Sequence, residues 1–221
     1  MIDQLIIGNK ASYDDFEASV KERKHNKPKK KSIKETIPFS NVTYDFSAIN
    51  GEVYWEESTL EYVFEITADT AEELEEKKLA FTSWIMNVME EPLHDPFIRD
   101  FHFIGTYDDI DIDDSEVEKS TITVTFTAYP YMIANKAKNY PVVLEASKEA
   151  TLTVHNNSSH RITPTFNADV AFTVAVGDSN YAIPSGETKD DSFKLAVGAT
   201  VLKFNSTESG SVNISFYEEV F

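Results

Sequence analysis

The chain has 221 residues, of which 41% are hydrophobic and 12% aromatic, enough apolar material for a packed core and too much for a disordered polymer. Its 38 Asp and Glu against 20 Lys and Arg give a net charge of −18, which argues against a surface built to hold nucleic acid or anionic lipid. Cysteine is absent, so disulfides, thiolate zinc sites and a cysteine nucleophile are excluded.

The N-terminus has no basic region followed by an apolar run, and no stretch is apolar for the roughly 18 residues that a span needs. Neither a signal peptide nor a membrane span is expected, and the simplest reading is a soluble acidic protein made in a cytoplasm. The first basic feature is Lys21–Lys34, KERKHNKPKKKSIK, with eight bases and one acid. Residues 1–139 hold 15 bases and 28 acids, so a body of charge −20 carries this one +7 segment. It reads either as a solvated loop interrupted by Pro28 or as a basic contact, centred on Lys27, Lys29, Lys30 and Lys31, to an acidic neighbour. Nucleic acid fits it less well, because no aromatics are interleaved.

Strand patterns follow. Val42, Tyr44, Phe46 and Ala48 alternate with polar residues, as do Leu60, Tyr62, Phe64 and Ile66, and then Ile122, Val124, Phe126 and Ala128. Period-two runs rich in β-branched and aromatic residues predict half-buried strands. Between them lies one helix. Thr70 and Glu73 have the spacing of a capping box, and four Glu residues from 72 to 76 suit the helix dipole at an N-terminus. Leu74, Phe81, Trp84, Ile85 and Val88 line one face, and Pro92 and Pro96 are expected to stop the helix after about five turns. Such a helix buries its stripe only by packing on a sheet.

The stretch from Asp108 to Glu118 holds seven acids and no base. Asp109, Asp111 and Asp113 open like an EF-hand loop, but Asp114 stands where that loop needs glycine and Ser120 where it needs glutamate. Ile110 and Ile112 between them point to an acidic hairpin instead. Beyond KAKNYP, residues 136–141, no helical pattern remains. Short strands at Leu152–Val154, Phe166–Val176, Phe193–Val197, Val201–Phe204 and Val212–Phe216 are punctuated by Gly177-Asp178, Pro184-Ser185-Gly186 and Ser209-Gly210. The expected fold class is mainly β with one long helix. A β-sandwich-like first domain spans residues 1–138 and a small β-sandwich spans residues 139–221.

No catalytic chemistry stands out. The histidines His25, His94, His102, His155 and His160 have no metal-ligand spacing, and one rigid helix cannot present both His94 and His102 across Pro96. There is no G-x-S-x-G and no G-x-x-x-x-G-K-[ST]. No catalytic residue, cofactor site or metal site is assigned, and the chain reads as a non-enzyme. Sugar binding by the second domain is the alternative function, although both tryptophans, Trp55 and Trp84, precede the boundary.

Four stretches carry a family resemblance: IPFSNVTYDFSAINGEVYWEESTLEYVFEIT (37–67), KKLAFTSWIMNVM (77–89), PLHDPFIRDFHFIGTYDDIDID (92–113) and STITVTFTAYPYMIA (120–134). With them the chain resembles the distal tail protein (Dit) family of siphovirus-type tailed phages and prophages over nearly its whole length. The strand ending in Thr-Ala-Tyr-Pro-Tyr is the most specific of these signatures. Two departures concern contacts more than fold: Pro38-Phe39-Ser40-Asn41 lacks the family's turn glycine, and Glu56-Glu57 stands near its arginine.

The resemblance implies a structural hub at the distal end of the tail tube, in a virion tail tip made in the bacterial host cytoplasm. It implies a homo-hexameric ring formed by the first domain and an outward galectin-like second domain. The implied partners are the tail-tube protein, a tail-associated (Tal-like) protein and adsorption or receptor-binding proteins. DNA would pass through the opening without specific binding.

Overall fold

The computed structural model describes residues 3–39, 41–48, 51–114, 116 and 118–221. Ser40, Ile49 and Asn50 of the first resemblance stretch, and Ser115 and Val117 of the acidic stretch, lie outside them. The fold is mainly β, and the chain divides into two compact units, Met1–Met132 and Ile133–Phe221.

The first unit contains β1 (Ile6–Ile7), β2 (Lys10–Ala11), β3 (Ser19–His25), β4 (Lys34–Thr36), β5 (Thr43–Asp45) and β6 (Ser58–Thr67). These are followed by α1 (Ala71–Ile85), β7 (Glu91–His94), β8 (Phe101–Asp113) and β9 (Lys119–Ala128). Seven strands of the first unit lie side by side, each antiparallel to its neighbours, in the order β2-β1-β7-β8-β9-β6-β3, while β4 and β5 pair with each other. The alternation expected for β6 and β9 is present: Leu60, Tyr62, Phe64 and Ile66 are buried, as are Ile122, Val124, Phe126 and Ala128.

Two strands of this sheet, β3 at its edge and β8 in its middle, each contain a bulge. Lys21 is the extra residue between Val20, opposite Phe64, and Glu22, opposite Val63. Asp108 is the extra residue between Tyr107, opposite Phe126, and Asp109, opposite Thr125. A bulge shifts the side-chain period by one residue and increases the local twist. Before Asp108 the odd-numbered residues take the core side of the sheet; after it the even-numbered ones do, with Ile110 packed against the core and Ile112 exposed. Glycine has one specific use here: a Cβ on Gly105 would lie 2.6 Å from Leu93 Cδ1, so β7 and β8 fit together only without it.

The helix forms as its sequence predicts at the N-terminus. Thr70 sits in extended conformation and accepts a hydrogen bond from the Glu73 amide, 3.2 Å away. The Glu73 carboxylate accepts from the Asp69 amide, one residue before the cap. The C-terminus differs from expectation. The helix is 15 residues long, about four turns, and ends before Pro92, which is instead a residue of β7. Turns closed by Asn87 N–H to Trp84 O and Val88 N–H to Ile85 O, then Glu90 at φ 51°, redirect the chain. Leu74, Phe81, Ile85 and Val88 are buried on the sheet. Phe81 meets Phe64, with ring centroids 4.9 Å apart, and Phe16 stacks on Trp84 at 4.7 Å.

The second unit contains β11 (Lys138–Leu144), β12 (Ala150–Asn156), β13 (Thr165–Ala168), β14 (Phe172–Val176), β15 (Ser179–Ile183), β16 (Gly186–Lys189), β17 (Gly198–Asn205) and β18 (Gly210–Phe216), preceded by β10 (Met132–Ala134) and followed by β19 (Glu219–Val220). Sheets β11-β18-β13-β16 and β12-β17-β14-β15 enclose one core of Val142, Val154, Phe166, Val174, Phe193, Leu202, Phe204 and Ile214 among others. The run Phe166–Val176 is two strands, because residues 169–171 turn the chain from one sheet to the other.

Phe81 is completely buried between α1 and the sheet. Phe81→Ala is expected to destabilise the first unit by about 3–5 kcal/mol. Urea unfolding followed by tryptophan fluorescence isolates that unit, because Trp55 and Trp84 both belong to it.

Candidate functional surfaces

Three regions of the first unit combine exposure with unusual chemistry. The first is an arm, residues 26–57, leaving the sheet at the end of β3 and returning at β6. Its legs are tied by the Lys31 amide donating to Tyr54 O at 2.9 Å and the Glu56 amide donating to Lys29 O at 2.8 Å. Its outer part is the β4–β5 hairpin, with Lys34 opposite Asp45 and Thr36 opposite Thr43. The expected half-buried strand at Val42–Ala48 is here, but β5 is exposed throughout, because among the described residues the two-stranded hairpin joins neither the core nor another sheet. Ile33, Ile37, Phe39, Val42, Tyr44, Phe46, Val53 and Tyr54 are all exposed on this arm. Exposed apolar side chains concentrated in one segment mark a contact surface.

The basic segment is not uniformly a solvated loop, as one reading of the sequence had it. Its first part is strand β3, where Lys21 pairs with Glu65 at 2.8 Å, Lys24 reaches Glu61 at 3.7 Å, and Arg23 turns inward. Lys27, Lys29, Lys30 and Lys31 lie beyond that strand, all exposed, on the near leg of the arm. Lys30 and Lys31 border a cleft of about 400 Å³ shared with Lys34, Asp45 and Ser47.

The second region is the sheet face turned away from α1. Asp109, Asp111 and Asp113 are exposed on it, opposite Thr125, Thr123 and Thr121, which in turn face Glu61, Val63 and Glu65. This face is thus a threonine ladder between an aspartate row and a row bearing Glu61 and Glu65. Hydrogen bonds from Lys21 and then Lys119 hold the Glu65 carboxyl below its ordinary range. The three aspartates belong to a strand, which accounts for the failed EF-hand pattern. Asp114 anchors the hairpin: Lys78 of α1 donates to it at 2.7 Å, and so does the Ser120 hydroxyl at 2.7 Å. The Lys78 side chain is only 7% exposed. Burial alone would lower its pKa, yet hydrogen bonds to Asp114 and Glu75 leave it raised. Asp114 is correspondingly lowered, first by Lys78 and then by Ser120.

The third region is a buried polar cluster beneath the 95–100 turn. Arg23 Nε donates to Asp95 Oδ2 at 2.8 Å, with the Asp95 side chain 1% exposed, and Arg23 Nη1 reaches Asp3 at 3.3 Å. The Phe97 ring covers the guanidinium at 4.3 Å. His25 Nε2 lies 3.0 Å from the Tyr62 hydroxyl. Burial and then the Asp95 charge push the Tyr62 phenol far above its ordinary value. Burial, opposed by Asp95 and reinforced by Arg23 and Lys27, lowers His25. A histidine kept neutral by the fold stabilises it less as pH falls below about 6.5, where the unfolded chain binds the proton more readily. Of the remaining histidines, His94 and His102 are brought together, with ring centroids 4.8 Å apart.

Among the described residues, no group of three or more His, Asp or Glu is placed to hold a metal ion, and no helix is long and apolar enough to cross a membrane. The second unit has a cleft of about 680 Å³ lined by Ser147, Phe172, Thr173, Asn205, Ser206 and Thr207 among others. Its one aromatic, Phe172, is 4% exposed, so the cleft offers no ring face for a sugar to stack on.

No protein-family model matches the sequence, and no curated protein matches it significantly. The solved structures are more informative. The crystal structure of the SPP1 Dit protein superposes with a TM-score of 0.71 over 98% of this chain and 99% of that one, at 13% identity. The fold is a Dit fold. The SPP1 protein is described as a paradigm of the hub adsorption apparatus in phages infecting Gram-positive bacteria. A chain of the phage P2 baseplate, in its activated conformation with Ca, also matches over 97% of this chain and 98% of that one, at 9% identity and a TM-score of 0.37, too distant to argue from. The resemblance read from residues 37–134 therefore holds at the level of fold, where the chain aligns end to end with the SPP1 Dit protein.

Sequence reasoning missed Arg23–Asp95, a contact across 72 positions with no local signal. Asp95→Ala would leave the Arg23 guanidinium buried without its main partner, at an expected cost of about 3–5 kcal/mol. Chemical denaturation of the variant against wild type measures it.

Proposed function

We propose that this chain is a structural tail hub: a subunit of a ring, six-fold by the family resemblance, at the distal end of a phage tail tube. The observation that carries the reading is the arm. It exposes eight large apolar or aromatic side chains with no core of its own, beside four exposed lysines on a body that is otherwise strongly acidic. A ring subunit needs two unlike, complementary surfaces, because each contact is head-to-tail. An apolar, basic arm laid on an acidic neighbour supplies both halves. Lys27, Lys29, Lys30 and Lys31 steer that docking, and the apolar residues beside them supply most of its affinity.

In this reading the sheet face away from α1 borders the central opening. A duplex carries one negative charge per ~1.7 Å of axis. A wall of Asp109, Asp111, Asp113 and threonine hydroxyls repels it at range while staying hydrated. The hub would contact the tail-tube protein on one side and a Tal-like protein and adsorption proteins on the other, at the virion tail tip. Its role is architectural rather than catalytic. The likeness to the SPP1 Dit fold supports this reading.

Negative-stain microscopy and mass photometry of the pure protein at high concentration test it directly, and rings of six subunits are the expected outcome. Changing Lys27, Lys29, Lys30 and Lys31 to Glu should raise the concentration for half-assembly at least about tenfold, with unchanged circular dichroism. Rings that form as readily as in wild type would overturn the assignment of the arm.

A second measurement addresses the opening. Wild-type protein should not retard duplex DNA at moderate salt, whereas D109K/D111K/D113K should bind it. The log of that affinity should fall with log salt at about 0.9 per phosphate contacted. Tight DNA binding by wild type would contradict the repelling wall.

A further inference from the structure

The His94–His102 pair takes no part in the hub reading. Strands β7 and β8 pair with Pro92 opposite Ile104 and Leu93 opposite Phe103, and the next step of that register sets His94 against His102. Leu93 and Phe103 turn into the core; His94 and His102 turn to the opposite face and stay half-exposed. On the far side of β7, Ile6 of β1 lies opposite His94, and Ala11 of β2 lies opposite Ile6. The row across the sheet is therefore Ala11, Ile6, His94, His102: two imidazoles beside two small or apolar side chains.

We infer that His94 and His102 form a two-imidazole site for one divalent ion of the zinc, nickel or copper type. The geometry suits it. Ring centroids 4.8 Å apart, with planes inclined at 39°, allow one nitrogen from each ring to reach a shared ion at the ~2.0–2.1 Å typical of zinc–imidazole bonds. Both histidines lie on strands paired on their two sides, β7 between β1 and β8 and β8 between β7 and β9, so little backbone freedom is lost on binding. Half-exposure leaves the remaining coordination positions open to water.

The donor set also selects the metal. Neutral imidazole nitrogens without an oxygen cage suit zinc, nickel and copper, and they disfavour calcium and magnesium, which want several oxygens. No third protein ligand is in place among the described residues, so the site is an open one. The ion would clamp β7 to β8 across the 95–100 turn.

The test is isothermal titration of the full chain with Zn²⁺, Ni²⁺ and Cu²⁺, with Ca²⁺ and Mg²⁺ as controls. One equivalent of each transition metal should bind, with an accompanying rise in the melting temperature of the first unit. His94→Gln and His102→Gln should each weaken binding by more than the about 10–100-fold typical of losing an outer-shell partner. His155→Gln, in the second unit, should leave it unchanged. Should either first-unit variant fold poorly, Cu²⁺ added to wild type serves instead. Its paramagnetic broadening should fall first on the ring protons of His94 and His102. No binding to wild type, equal binding of Ca²⁺, or affinity unaltered in both variants would overturn the site. So would broadening centred on other histidines.

Discussion

The seven strands side by side in the first unit present two faces, and the described residues supply one long helix to cover them. Most of what distinguishes the first unit follows from that shortage. Phe81 and its neighbours on α1 close one face with aromatic contacts to Phe64 and Phe16. Among the described residues no helix covers the opposite face, so its residues must tolerate water or a partner. The sequence meets that condition with threonines on β9, aspartates on β8 and glutamates on β6. An antiparallel sheet can pack one face on a core and turn the other to water, and this alternation of threonine and carboxylate side chains suits the second of those faces.

Electrostatics is organised at three depths. At the surface, the acids of the open sheet face and the lysines of the arm are exposed and separated, so their fields extend into solvent and weaken with salt. At intermediate depth, Lys78, Asp114 and Ser120 tie the helix to the root of the acidic hairpin, fixing which way its aspartates project. Deep inside, Arg23 and Asp95 join β3 to the turn after β7. Buried ion pairs add little net stability, but once one member is present the other is required. Charge is thus left to solvent outside and fixes registration inside.

Much of this was legible in the sequence, and the exceptions are instructive. Thr70 and Glu73 announced the helix because capping chemistry is local, and the alternation in β6 and β9 reported burial because both strands lie inside the sheet. The same alternation at Val42–Ala48 predicted burial that is not there, since periodicity records a strand's preference and not whether anything covers it. Pro92 looked like a helix stop, but the turn after Ile85 had already ended the helix. The spacing of His94 and His102 rules out one helix face, and a hairpin brings the two rings together instead, eight positions being a comfortable distance across one. Arg23 sat inside a run of lysines that concealed its different fate.

The bulge at Asp108 has a consequence for how this sheet can change over time. It works as a phase shifter. Upstream, odd positions point to the core; downstream, even positions do, and only for that reason do Asp109, Asp111 and Asp113 look outward. Losing one residue at Asp108 would not subtract one acid from the wall. It would rotate the rest of the strand by half a period, turning three carboxylates to the helix side and taking Ile110 away from the core. Point substitutions along this strand are graded changes, whereas a single deletion is a reversal. Its length is therefore under tighter constraint than its composition.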